Sequence, residues 1–274
     1  MALPSFDTAW RERQSVKPRI LVLEIRDQHR VDDAVLGWVV VEREEVYRRD
    51  PRSGEIYEAS VRLSYQRITS NYPSQSSGKG QFNGSFSRAL NAVSLTSSSM
   101  AKGAVFLDLP GLHGQRIGTY LMNEVVQWVQ QWPEAEVNSI ELLGGQATGD
   151  NKERRNWFYE QFGLSFEYQD PAHREGVSRP MQSAALRIVE TWKANIFEHH
   201  MLHFLAVRLD AAASAQFELE ARNHACAYLM AEQKKAEARP LRWAIRRLYI
   251  QNVAQITVGL CLAIFFSLLW FKTR

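Results

Sequence analysis

Between Arg247 and Lys272 the chain carries no charged residue, and positions 256–271 read ITVGLCLAIFFSLLWF. A helix over 253–271 would rise about 28 Å, close to the ~30 Å hydrocarbon layer of a bilayer. Gln251, Asn252 and Gln255 crowd its first turn, and Trp243, Tyr249 and Trp270 flank it, where aromatic rings sit at membrane interfaces. The stretch is therefore read as one transmembrane helix, about 253–271. Lys234, Lys235, Arg239, Arg242, Arg246 and Arg247 precede it, and only Lys272 and Arg274 follow. That asymmetry predicts a single-pass membrane protein whose long N-terminal part is cytoplasmic, with the lipid bilayer as a partner. Residues 242–250 interleave Arg with Trp, Ile, Leu and Tyr, which suits a segment lying on anionic headgroups. The place of the span at the end of the sequence predicts post-translational insertion, as in tail-anchored proteins.

Regional differences correct the whole-chain averages. A mean hydropathy of -0.32 combines a polar body with this uncharged end. The 33 basic and 30 acidic residues leave a net charge of +3, no concentrated stripe of the kind nucleic acid demands, so no nucleic-acid partner is expected. An aromatic content of 11% argues against wholesale disorder, because it supplies apolar surface to bury. Two cysteines, Cys226 and Cys261, exclude a disulfide framework and a four-cysteine zinc site. Residues 1–19 carry Asp7, Arg11, Glu12, Arg13 and Lys17 without an apolar run, so no secretory signal is expected there.

Three regions follow: a domain over 1–180, a stalk over 181–240, and a basic segment with its span over 241–274. No glycine or proline falls between Pro180 and Pro240, and good helix formers dominate. Two helices are expected there, broken near 199–203. The first would bury Leu186, Val189, Trp192 and Ile196; the second would run from about 205 to 238. Residues 183–238 are thus a candidate surface for homo-oligomer formation. His199 and His203 share the i,i+4 spacing of a helical metal pair, but no cysteine or Glu-x-x-His joins them, and no metal is expected.

Upstream, strands are expected over 19–25 and 35–46, with a turn at 50–54 and a returning strand over 56–68 that closes an antiparallel hairpin. Residues 71–87 read as a Ser/Gly/Gln-rich loop. A strand over 104–109, a helix over 117–131, a strand over 140–143 and a helix over 151–162 follow. The helix at 117–131 would bury Ile117, Leu121, Val125, Trp128 and Trp132. The class is α+β, with a mixed, mostly antiparallel sheet flanked by helices.

Residues 109–121 read LPGLHGQRIGTYL: a strand ending at Pro110, a loop bearing glycines, then an amphipathic helix. Such a junction aims free N–H groups and the positive end of a helix dipole at one spot, an anion site to which His113 and Arg116 add charge. Farther on, 151–164 read NKERRNWFYEQFGL.

Together these two segments resemble the acetyl-CoA loop and following helix of the GNAT superfamily of N-acetyltransferases. The family's Arg/Gln-x-x-Gly-x-Gly/Ala loop corresponds to His113, Gly114, Gln115, Arg116, Ile117 and Gly118. Its Asn and Phe-Tyr-Glu-Lys-Leu-Gly-Phe signature corresponds to Asn151 and to residues 158–164. The resemblance covers roughly 100–180, and more loosely 19–180. It implies metal-free transfer of acetyl from acetyl-CoA to an amine acceptor, either a small molecule or a protein. Leu107, Asp108 and Leu109 would face the pantetheine arm, His113 through Thr119 the pyrophosphate, and Asn151 the cofactor or its own helix. Tyr159 matches the family's thiolate-protonating tyrosine. The base is open among Asp108, Glu141 and a chain of water. Two departures stand out: Arg116 where the family has glycine, and only 27–33 where it has two helices, which leaves the acceptor wall to 69–100. A catalytically inactive GNAT-like adaptor that localises a partner at the membrane is the alternative.

Overall fold

Asp50 follows one strand and begins a tight turn. Its Oδ1 accepts from the N–H groups of Arg52 (2.7 Å) and Ser53 (3.0 Å), which holds its carboxyl below the usual range, and Gly54 turns the chain at φ 72°. The flanking strands β2 (Gly37–Arg49) and β3 (Ile56–Arg67) pair antiparallel, so the expected hairpin forms. The computed structural model describes residues 15–32, 35–68, 78–101, 103, 105, 107, 109–147 and 151–272.

Around the hairpin lies a seven-stranded sheet. Its edge is β10 (Ile196–His200), followed in order by β1 (Ser15–Ile25), β2, β3, β4 (Lys79–Ser87), β5 (Ala92–Ser94) and β6 (Glu136–Val137). All neighbours are antiparallel except β5 and β6, which are parallel. A second sheet joins β7 (Glu141–Leu142), β9 (Gly176–Ser178) and β8 (Phe166–Tyr168). The α-helices are α1 (Ile117–Val129), α2 (Asn151–Glu160), α3 (Met201–Ala238), α4 (Pro240–Gln251) and α5 (Val253–Lys272). The protein is α+β, with a mostly antiparallel principal sheet.

Alternation decides which face of the sheet is apolar: Ala59, Val61, Leu63 and Tyr65 of β3 are buried, whereas Arg62 and Gln66 between and beyond them are exposed. On that face lies α1, with Ile117, Leu121, Val125 and Trp128 buried as expected and Trp132 stacked on Phe86 at 4.2 Å. Its opposite side is covered too. Asn123 Oδ1 accepts from the N–H of Val189 (2.9 Å), Gln130 donates to the carbonyl of Leu186 (2.9 Å), and Tyr120 meets Trp192 edge-on at 4.8 Å.

That covering segment corrects the helix expected between 183 and 199. Short 3₁₀ turns at Ser183–Ala185 and Thr191–Ala194 lead instead into β10, which pairs with β1. Leu186, Val189, Trp192 and Ile196 are all buried nonetheless. Packing on α1 and the edge of β1 overrides their helix propensity. The first of two compact units runs through Leu205.

Two further expectations change. The loop over 71–87 contains strand β4 in its second half; 71–77 lie outside the described residues. Glycine hides this strand, and the fold requires it: a Cβ at Gly84 would lie 2.8 Å from Val125 Cγ1 and 3.1 Å from Val61 Cγ1. The strand over 104–109 is not formed among the described residues, where Val105, Leu107 and Leu109 belong to no strand; 104, 106 and 108 lie outside them.

The second unit, from Ala206, contains the rest of α3 together with α4 and α5. α3 is one 38-residue helix with no buried residue, and it begins at Met201, earlier than the expected 205. Pro240 sits in the first turn of α4, where its missing N–H has no helical acceptor to lose. Among the described residues no single helix is long and apolar enough to cross a membrane; Pro240–Gln251 and Gln255–Ile264 have that length and composition only as a pair bent by 79°.

Gly84→Ala is expected to lower the unfolding free energy by about 1–3 kcal/mol in urea titrations, through overpacking against α1. Combined with Val125→Ala, the two losses should sum to less than their separate values. Strict additivity would show that the helix does not set the glycine.

Candidate anion-binding cleft

The loop before α1 is wound from three left-handed residues. Gly111 and Gly114 have φ of 76° and 77°, and Arg116 follows at φ 62°, ψ 14°. A side chain in that region costs about 1 kcal/mol or more, so the surroundings must hold it. They do so from several sides. Asn195, fully buried, donates to the carbonyls of Gln115 (3.2 Å) and Arg26 (3.0 Å). Gln115 Oε1 accepts from the N–H of Gln28 (2.9 Å), Arg116 donates to the carbonyl of Thr191 (2.8 Å), and Arg67 donates to that of Pro110. The first helical bond then runs from the N–H of Tyr120 to the carbonyl of Arg116 (2.9 Å), leaving the N–H groups of Ile117, Gly118 and Thr119 without helical acceptors.

α2 reaches the same place from the other side. A Cβ at Gly118 would meet Leu107 Cδ2 at 3.3 Å and Phe158 Cε2 at 3.4 Å, so the glycine admits both neighbours. Gln161, just past α2, donates to the carbonyl of Phe158 (3.1 Å) and to Thr119 Oγ1 (3.4 Å). Asn151 donates to the carbonyl of Gln146 (2.7 Å) and accepts from Arg154 (2.9 Å), ordering the start of the helix.

Between them lies a cleft of about 450 Å³. Leu107, Leu109, His113 through Thr119, Asn151 and Tyr159 all line it, so two segments read separately in the sequence converge. Asp108 lies outside the described residues. Glu141 is corrected: it does not line the cleft. It pairs with Val177 in the small sheet, where alternation buries Leu142 and turns Glu141 to the exposed side. The sequence reading missed Phe82, Val105, Leu112, Gln146, Trp157 and Phe158 as lining residues. Phe82 was legible through its two-residue spacing with Gly84 and Phe86.

Known families, characterised proteins and solved structures offer no match to this chain. The chemistry of the cleft must therefore be argued from its own residues. Its described lining includes Arg116, Arg154 and Arg155 and no carboxylate, facing an apolar wall of Leu107, Leu109, Phe82 and Phe158. Tyr159 is buried, and burial pushes its phenol up to about 12 against the opposing effect of the Arg155 charge. The hydroxyl has no hydrogen-bond partner among the described residues.

The adjacent arginines differ. Arg154 is exposed, as expected of a solvated helix face; Arg155 is buried, and donates to the carbonyls of Leu143 and Arg174 (both 2.8 Å). The histidines also depart from their helical reading. His199 lies in β10 and hydrogen-bonds Glu24 (3.1 Å), and among the described residues no three metal-ligating side chains gather.

Arg155→Ala should lower stability by about 3 kcal/mol in chemical denaturation, because it strands two carbonyls served by a charged donor. Arg154→Ala should change it by less than about 0.5 kcal/mol. Equal effects would contradict the division of roles.

Proposed function

We propose that the chain is a membrane-tethered N-acetyltransferase of the GNAT type, moving acetyl from acetyl-CoA to an amine. One observation carries this reading: the two segments that resemble that family's cofactor loop and helix line a single cleft. Its arginines and the unpaired N–H groups at the start of α1 suit a pyrophosphate, and its apolar wall suits a pantetheine arm. The left-handed backbone at Arg116 is one that glycine, the family's residue there, adopts without strain.

The reaction needs the amine to attack the thioester carbonyl, forming a C–N bond while the C–S bond breaks. The amine's proton leaves to water, the departing thiolate takes one from Tyr159, and the phenolate left behind regains its proton from water. A phenol raised to about 12 stays protonated throughout the neutral range, the state a general acid must hold. Tethering rests on the uncharged stretch before Lys272 and the six Lys/Arg ahead of it. It favours an acceptor that is itself at the membrane. A second reading, an inactive adaptor of the same type, is favoured by the guanidinium of Arg116, which is engaged with Thr191.

Calorimetric titration of acetyl-CoA into the full chain in non-ionic detergent should give saturable binding; no binding removes the acetyltransferase and leaves the adaptor. Tyr159→Phe should lower turnover about 10²-fold or more with binding retained. The alkaline limb of the native pH–rate profile should fall near 12 rather than at the ordinary phenol value of about 10. Unchanged function in the Phe variant would support the adaptor.

A further inference from the structure

Trp157 is 58% exposed and lines the cleft. An indole left open beside a cleft offers a ligand a flat apolar face on which to stack. Arg154 lines the cleft with it, its guanidinium held by Asn151 Oδ1 at 2.9 Å. Arg155 is committed to main-chain carbonyls instead. The same cleft contains the unpaired N–H groups that open α1. Anion donors on one helix, with an aromatic plate and an oriented cation on the other, match a ligand that combines phosphate with a flat base.

We infer that Trp157 is a stacking platform for the base of a nucleotide-bearing ligand, with Arg154 beside it as the cation that meets the ligand's phosphate. The inference rests on the acetyltransferase reading for the ligand's identity, the adenosine bisphosphate portion of acetyl-CoA. It adds a residue that neither motif segment assigned. Stacking on an indole tolerates any base, because each presents a π-face, so the platform supplies affinity and leaves base selection to hydrogen bonds.

The full chain in non-ionic detergent is titrated with acetyl-CoA, with acetyl-phosphopantetheine, which lacks the nucleotide, and with adenosine 3′,5′-bisphosphate, which lacks the arm. Trp157→Ala should weaken acetyl-CoA and the bisphosphate about tenfold and leave acetyl-phosphopantetheine unchanged, while Trp157→Phe recovers most of the loss. Circular dichroism and thermal melting of each variant establish that it remains folded. Unchanged acetyl-CoA affinity in Trp157→Ala, or equal weakening of acetyl-CoA and acetyl-phosphopantetheine, would overturn the platform and leave the acetyltransferase reading standing. Trp157-dependent binding of the bisphosphate without acetyl transfer would keep the platform and remove that reading. No binding of any of the three to the native chain would remove both.

Discussion

α1 is enclosed from two sides, and the first unit is arranged around that enclosure. A helix apolar on one stripe settles on a sheet and leaves its other face in water. Here the second face also carries apolar and partnered polar groups. Asn123 is fully buried and receives the N–H of Val189. Towards the sheet, Glu124 pairs with Arg43 of β2, and Tyr120 donates to Glu198 of β10 at 2.6 Å. Buried polar groups bring strict geometry, because an unmade bond there costs about 1–3 kcal/mol. The helix is thereby fixed along its axis as well as against the sheet, and its N-terminus is placed with it.

The strained loop is a consequence of that placement. Arg116 holds a conformation that glycine would adopt without cost, and main-chain bonds on both sides keep it there. Two of those supports, Asn195 and Thr191, come from the segment that also covers α1. Helix and loop are thus held by one stretch of chain lying 56 to 80 residues downstream. A change that loosens 189–196 would act on the cleft without touching it.

Local pattern made the hairpin, α1 and the glycine loop legible, since each is specified by residues close in sequence. β4 was hidden because Gly80 and Gly84 depress strand propensity, and their reason lies in neighbours far along the chain: Tyr65 for one, Val61 and Val125 for the other. The stretch at 183–199 misled in another way. Its apolar residues recur every three or four positions, which suits a helix, yet 3₁₀ turns and a strand bury the same four side chains against α1. Pairing with β1, from the other end of the unit, leaves no local trace. In the cleft, Tyr159 and the loop line one space, and a sequence motif carries each of them. Glu141 was misplaced because its strand's facing is decided by β9, thirty-odd residues later.

Charge is sorted by position in the first unit. Its buried carboxylates have basic partners: Glu124 with Arg43, and Glu24 with Arg26 and His199. Those partnerships lie on the sheet, where they cancel locally. The described lining of the cleft carries arginine without a matching acid. An overall charge of +3 in 274 residues gives no hint of this, because the average counts paired and unpaired cations alike. In a cleft, positive charge beside unpaired N–H groups acts at an effective dielectric below that of bulk water. An anion site in the cleft would thus rest on where acids are already paired, and the net charge would contribute little to it.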